Sequence, residues 1–151
     1  MSIKKKFKIY SIFLLGATIL YFVTTTILNF FFNGYDFERD YSIADILFLS
    51  LIFAPVFETF LCQLLIFRLS FRVFHIKKTK KSIHILCIIS ALFFASLHYY
   101  NLGYIFFALI IGLYLSYTFA YAEYFSKEKI SGYKLTVFIH FSFNFMAFIY
   151  A

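Results

Sequence analysis

Five long apolar runs, separated by short polar segments, dominate the pattern of hydrophobic and polar positions along the chain. They cover approximately residues 9–32, 46–71, 83–100, 104–124 and 135–150. A helix rises about 1.5 Å per residue, so ~20 apolar residues are needed to cross a bilayer. The pattern therefore predicts an all-α fold, a polytopic membrane bundle of five transmembrane helices.

The composition supports a membrane protein over a soluble one. Of the 151 residues, 63% are hydrophobic and only 14% are charged, and the mean hydropathy is +0.85. A soluble domain carries roughly 25% charged residues and could not hide this much apolar surface. We expect one membrane domain over residues 1–151, in contact with membrane lipid. Within this domain, the apolar run at 9–32 precedes the four runs at 46–150.

The net charge of +7 comes from lysine and arginine residues that concentrate in alternate polar segments. They lie in the N-terminal segment and in the loops at 77–81 and 127–134, whereas the other two loops contain only Arg39. By the positive-inside rule, the N-terminus is expected in the cytoplasm and the C-terminus outside the plasma membrane. Membrane orientation accounts for the charge, so no nucleic-acid partner is expected.

Three ionisable side chains fall deep inside apolar runs: Glu58, His98 and His140. Such a group costs roughly 2.5 kcal/mol or more at the bilayer centre, which favours a functional site. A carboxylate and an imidazole can activate water, and Asn144, one helical turn after His140, adds a donor for an oxyanion. Equally, such residues can be structural, with histidine or asparagine bonded to a neighbouring helix and the glutamate neutral. Spacing alone leaves both interpretations open.

Several short motifs resemble the CPBP family, the CAAX-protease and bacteriocin-processing membrane proteins also called Abi. They are F-E-T at 57–59 after Pro55, F-x-x-x-H ending at His98, a glycine in the fourth helix and H-x-x-x-N at 140–144. The similarity spans about residues 54–150 and implies intramembrane endopeptidase activity. It also implies a four-helix core at 46–150, to which the helix at 9–32 is an addition. It further implies that water is activated by Glu58 and His98, with Phe94 in support. His140 and Asn144 would stabilise the oxyanion, and no cofactor is expected.

The first motif departs from the usual E-E-x-x-x-R of that family. The second glutamate is replaced by Thr59 and the arginine by Gln63. Opposite charges four residues apart on a helix pair, so losing one alone would strand the other in a low-dielectric interior. Losing both leaves two neutral side chains that can hydrogen-bond. We interpret Thr59 and Gln63 as a compensated variant that supports the site.

Two other functions compete with a peptidase acting on a membrane-associated peptide or protein. Glu58, His98 and His140 are a ligand set that catalytic zinc accepts, which would make the protein a metalloprotease. Alternatively, the chain is a non-catalytic bacteriocin-immunity or scaffold protein that retains the fold. A prenylated CAAX substrate is implied only by the family resemblance.

Three further features bear on how the helices pack. Small residues recur every fourth position of helix four, which predicts close helix packing in preference to a substrate groove; they are Ala108, Gly112, Ser116 and Ala120. Cys62 and Cys87 are expected to be buried and unpaired. Straight helices would place His98 and His140 about 10 Å apart in depth. Helix tilt, a kink at Pro55 or a shorter helix three is needed to bring them together.

Overall fold

The fold is a bundle of five helices, here described from a computed structural model for residues 3–32, 46–128 and 130–150. Within those ranges there are no strands, and the predicted all-α, five-helix architecture is confirmed. The helices are α1 (Ile3–Phe32), α2 (46–72), α3 (Lys80–Ser96), α4 (Leu102–Phe125) and α5 (Gly132–Tyr150). The acidic connector predicted between the first two helices, at 33–45, lies outside the described residues.

Three of these helices are long and apolar enough to cross a membrane. They are Ile3–Phe31, Phe48–Arg72 and Leu102–Phe125. Large apolar side chains such as Phe30, Phe48 and Leu92 are more than half exposed, while several threonines, serines and a histidine are fully buried. An apolar exterior around a partly polar interior suits a protein whose solvent is lipid.

Helix α3 ends earlier than the sequence predicts. It begins at Lys80, where Thr79 and Ser82 form a reciprocal capping box, but it ends at Ser96, four residues before the predicted end. The chain then turns, and the side chain of Asn101 accepts a hydrogen bond from the Tyr104 amide to start α4. With 17 residues, α3 is only about 26 Å long. The predicted end at residue 100 was wrong because the aromatic residues of this turn are apolar and extend the apolar run beyond the end of the helix.

Helix α2 alternates between π-helical and α-helical turns. Residues Ile46–Phe53 and Phe60–Leu65 are π-helical, and the six residues Ala54–Thr59 between them are α-helical. Pro55 lies in the first turn of that α-helical segment, where it has no amide hydrogen to continue the hydrogen-bond ladder. Glu58 therefore projects from a short α-helical segment between two wider turns, an irregularity that occurs often at functional sites.

Helices α3 and α4 approach each other closely along the small-residue face of α4. A Cβ atom added to Gly112 would lie 3.2 Å from the Ala91 Cα and 3.0 Å from a ring carbon of Phe94. The four small residues that recur along this face of α4 are all buried. This confirms the predicted close packing. Cys62 and Cys87 are also buried and unpaired, as expected.

Contacts between loops place the three basic segments at one end of the bundle. The Lys5 ammonium lies 3.3 Å from the Glu128 carboxylate, which joins the start of α1 to the α4–α5 loop. Lys78, in the α2–α3 loop, lies over the rings of Phe71 and Tyr124 at 5.5 and 6.0 Å. The three basic segments of the sequence therefore lie together at one end of the fold.

Candidate active site

Helices α2 and α5 and the turn after α3 bring the three predicted ionisable side chains together. Glu58 Oε2 lies 3.7 Å from His98 Nε2 and 3.6 Å from His140 Nε2. The depth difference expected between the two histidines disappears because α3 ends early, which places His98 in the turn rather than farther along a helix. Of the three possibilities raised from the sequence, the structure comes nearest to a shorter helix three, since α3 stops before His98 although it has nearly the predicted length.

The three side chains differ in their exposure. Glu58 is 23% exposed and His98 is 14% exposed, whereas His140 is only 2% exposed. Glu58 and His98 therefore form the accessible edge of the site, and His140 lies at its floor.

Phe94 contacts both histidines of the site. Its backbone carbonyl accepts a hydrogen bond of 2.7 Å from His98 Nδ1, so the Nδ1 atom of His98 carries hydrogen. This carbonyl lies in the last turn of α3 and also accepts a 3.2 Å hydrogen bond from the Leu97 amide. The Phe94 ring packs against the imidazoles of His98 and His140, with ring centroids 4.5 and 5.4 Å away. In neutral His98, Nε2 is consequently an acceptor facing Glu58.

Thr59 and Gln63 bond to different helices rather than to each other. The Thr59 hydroxyl oxygen lies 3.4 Å from His140 Nδ1 on α5, and the Gln63 amide nitrogen lies 3.5 Å from the Ser90 hydroxyl on α3. Both side chains are fully buried. The expectation that they form one hydrogen-bonding pair is therefore replaced by two separate contacts. The physical reason is that the π-helical turn beginning at Phe60 alters the four-residue spacing on which that expectation depended.

A buried hydroxyl network that the sequence analysis missed lies beside these residues. The Ser90 hydroxyl is 2.6 Å from the Cys62 carbonyl oxygen, to which it donates, and 2.7 Å from the Ser116 hydroxyl. It thereby joins α2, α3 and α4 about one turn from the catalytic candidates. Isolated serines in apolar helices give little signal, although Ser90 lies four residues before Phe94 on the same face of α3.

Asn144 follows His140 by one turn of α5 and is held by an earlier turn of α2 than the one that carries Glu58. Its side-chain nitrogen donates a 2.7 Å hydrogen bond to the Ser50 carbonyl oxygen. The carboxamide nitrogen carries two hydrogens, so one remains for another acceptor. The sequence placed Asn144 on the face of His140, and the structure adds that its orientation depends on a π-helical carbonyl of α2. The partner Ser50 gives no recognisable signal in the sequence.

A protein metal site requires several ligating side chains gathered at one point. Within residues 3–32, 46–128 and 130–150, no group of three or more histidine, cysteine, aspartate or glutamate side chains has the arrangement of a metal site. Glu58, His98 and His140 converge, with Glu58 Oε2 3.7 and 3.6 Å from the two Nε2 atoms, but they do not form such a group. We therefore derive no chemical step through zinc.

These features define a helical membrane protein with a carboxylate and two imidazoles gathered between three helices. The family described as Type II CAAX prenyl endopeptidase Rce1-like matches residues 40–146. That match covers well over half of the chain, and the protein belongs to this family, a protease family within the CPBP group that the motifs indicated. Helix α1 lies outside the matched residues. No curated protein and no solved structure matches the chain.

Proposed function

We propose that this protein is an intramembrane endopeptidase of the CPBP type that hydrolyses a peptide bond with water activated by Glu58 and His98. The observation that supports this most strongly is the position of Glu58 Oε2, within 3.7 Å of the Nε2 atoms of both His98 and His140. A general base must lie within reach of the proton that it removes, directly or through one water molecule. The family match supports the same reaction class.

In the proposed reaction, water donates one hydrogen bond to the Glu58 carboxylate and one to His98 Nε2. Both are acceptors, because the hydrogen of neutral His98 is held on Nδ1 by the Phe94 carbonyl. As the water oxygen attacks the peptide carbonyl, its proton passes to this pair. The pair then delivers that proton to the amide nitrogen, and the C–N bond breaks to give a carboxylic acid and an amine.

The second half of the proposed site stabilises the negative charge that develops on the peptide oxygen. His140 Nε2 faces Glu58, and its deep burial makes a hydrogen bond from it stronger than one in water. Asn144, one turn later, retains one amide hydrogen beyond its bond to Ser50. We assign His140 and Asn144 to the oxyanion, and Thr59, Gln63 and Phe94 to supporting roles.

The proposed substrate is a membrane-associated peptide or protein that reaches the site from the lipid phase. A prenylated CAAX peptide follows from the description of the family and is the first probe to test. We further propose that the protein lies in the plasma membrane with its N-terminus in the cytoplasm and its C-terminus outside. The basic end of the bundle would then face the cytoplasm.

The test combines a defined probe with a search for unknown substrates. Purified protein in liposomes is incubated with a farnesylated CAAX peptide, and membrane peptides from cells with and without the protein are compared by mass spectrometry. Glu58→Gln keeps the size of the side chain but removes the base, so cleavage should fall by roughly 10²–10⁴-fold. His98→Gln should cost nearly as much, and the double variant little more, because the two residues act together.

Matched controls use the same substitutions outside the site. Glu128→Gln and His75→Gln alter residues that lie in loops, and both should retain wild-type cleavage. If Glu58→Gln also retains it, Glu58 is not the base, and a non-catalytic scaffold or immunity role becomes the better interpretation. If a chelator abolishes cleavage and Zn²⁺ restores it, the zinc mechanism replaces the one proposed.

A further inference from the structure

Thr59 differs from other threonines of this bundle in the partner of its hydroxyl group. Many helical threonines bond to a backbone carbonyl one turn earlier. The threonines that do so here are Thr18, Thr25, Thr26 and Thr118. Thr59 is fully buried in α2, and the partner of its hydroxyl is His140 Nδ1, 3.4 Å away on α5. Its hydroxyl hydrogen is therefore available to a side chain of the site.

This contact matters because a neutral imidazole carries hydrogen on only one of its two nitrogens. If Thr59 donates to Nδ1, the hydrogen of His140 is on Nε2. If Thr59 accepts from Nδ1, His140 Nε2 is a bare acceptor. The two arrangements give His140 Nε2 opposite roles, since only in the first can it donate a hydrogen bond to a developing oxyanion.

The surroundings of Nε2 favour the first arrangement. His140 Nε2 lies 3.6 Å from Glu58 Oε2, and that same oxygen is 3.7 Å from His98 Nε2. In neutral His98, Nε2 is an acceptor, because the Phe94 carbonyl holds the single hydrogen on Nδ1. With a bare His140 Nε2, three acceptors would converge on one place with no donor among them. A hydrogen on His140 Nε2 removes this conflict.

We propose that Thr59 is a positioning residue, which donates its hydroxyl hydrogen to His140 Nδ1 and thereby holds the hydrogen of His140 on Nε2, facing the reacting groups. This inference rests on the proposed function for its catalytic meaning, but the tautomer itself is a property of the resting protein. It also gives the variant first motif a role: a hydroxyl at position 59 can donate, which an ionised carboxylate there could not.

The tautomer can be measured directly by nitrogen NMR on protein that carries ¹⁵N-labelled histidine in liposomes. Only four histidines are present, and the His140 signals are identified by their absence from a His140→Gln variant. We expect the protonated nitrogen of His140 to be Nε2 in the wild type. Finding hydrogen on Nδ1 would overturn the proposal and would leave an acceptor-only site, which suits a cation.

Variants at position 59 then test whether Thr59 is the cause. Thr59→Val has nearly the same shape but no hydroxyl, so the preference for Nε2–H should be lost, whereas Thr59→Ser should keep it. Thr118→Val is the matched control, because the Thr118 hydroxyl bonds to the Tyr114 carbonyl of its own helix. An unchanged tautomer in Thr59→Val would refute the role of Thr59 even if the wild type has Nε2–H.

Activity provides a separate measurement. With a cleavable probe, Thr59→Val should lower kcat by at least tenfold and leave KM nearly unchanged, since the donor acts on the transition state. Thr59→Ser should restore most of kcat. If no variant and no wild type cleaves any probe, the proposed function fails while the NMR result still decides the tautomer. If cleavage occurs without the expected tautomer, only this inference fails.

Discussion

Ser90 is the residue whose removal should most clearly reveal the hydroxyl network between α2, α3 and α4. Its side chain is fully buried, and it contacts the Cys62 carbonyl at 2.6 Å and the Ser116 hydroxyl at 2.7 Å. The Gln63 amide approaches it at 3.5 Å, which is too long for a strong hydrogen bond. Ser90→Ala removes all three contacts at once and leaves their partners buried.

The expected magnitude follows from these contacts. Hydrogen bonds between membrane helices contribute about 0.6 kcal/mol each on average, so the two short ones contribute about 1.2 kcal/mol. Leaving a polar partner such as Ser116 unsatisfied in the interior adds to this cost, while the higher helix propensity of alanine recovers a few tenths. We expect Ser90→Ala to lower the free energy of unfolding by about 1–2 kcal/mol.

Equilibrium unfolding in mixed micelles of dodecyl maltoside and SDS, followed by circular dichroism, measures this difference. Ser116→Ala loses only one of the contacts and should cost about half as much. Ser142→Ala is the matched control, since that hydroxyl bonds to the Phe138 carbonyl of its own helix, and it should be nearly neutral. If Ser90→Ala is as stable as Ser142→Ala, the network does not hold the three helices together.

Two other predictions concern packing and orientation. Gly112→Ala would place its Cβ 3.2 Å from the backbone of α3, so we expect a loss of about 1–3 kcal/mol in the same unfolding assay, and wild-type stability would contradict the close approach. A single cysteine at Lys127 should be protected from an impermeant thiol reagent applied outside intact cells, whereas one at Tyr99 should react. The native cysteines should not interfere, because both are buried. The reverse labelling would overturn the proposed orientation.

The helices themselves were predictable because the apolar runs are long and the charges between them are clustered. The residues at which the helices begin and end were less predictable. Helix α1 begins at Ile3, six residues before its apolar run, because a helix can continue through lysines at the membrane surface. Helix α3 ends at Ser96 although the sequence remains apolar, because His98 and Asn101 form bonds that end one helix and begin the next. Such local bonds have no signature in hydrophobic periodicity.

The residues of the candidate site could be singled out from the sequence, but their arrangement could not. The depth of Glu58, His98 and His140 in apolar runs singled them out, since lipid makes such groups costly. Their convergence depends on the early end of α3 and on the π-helical turns of α2, and neither has a reliable sequence signal. The same turns explain why Gln63 and Thr59 contact separate helices, which a regular four-residue spacing would not predict.

The neutral pair at positions 59 and 63 also determines how charge is distributed in the interior. Glu58 is the only carboxylate that the described part of the chain places among the inner residues of the bundle, since Glu123 and Glu128 lie at its end. A second carboxylate and a guanidinium beside it would each need a partner in a low-dielectric interior. Thr59 and Gln63 instead fill these positions with hydrogen-bonding groups that reach α5 and α3. Positions 59 and 63 therefore add no second charge beside the carboxylate that activates water in the proposed mechanism.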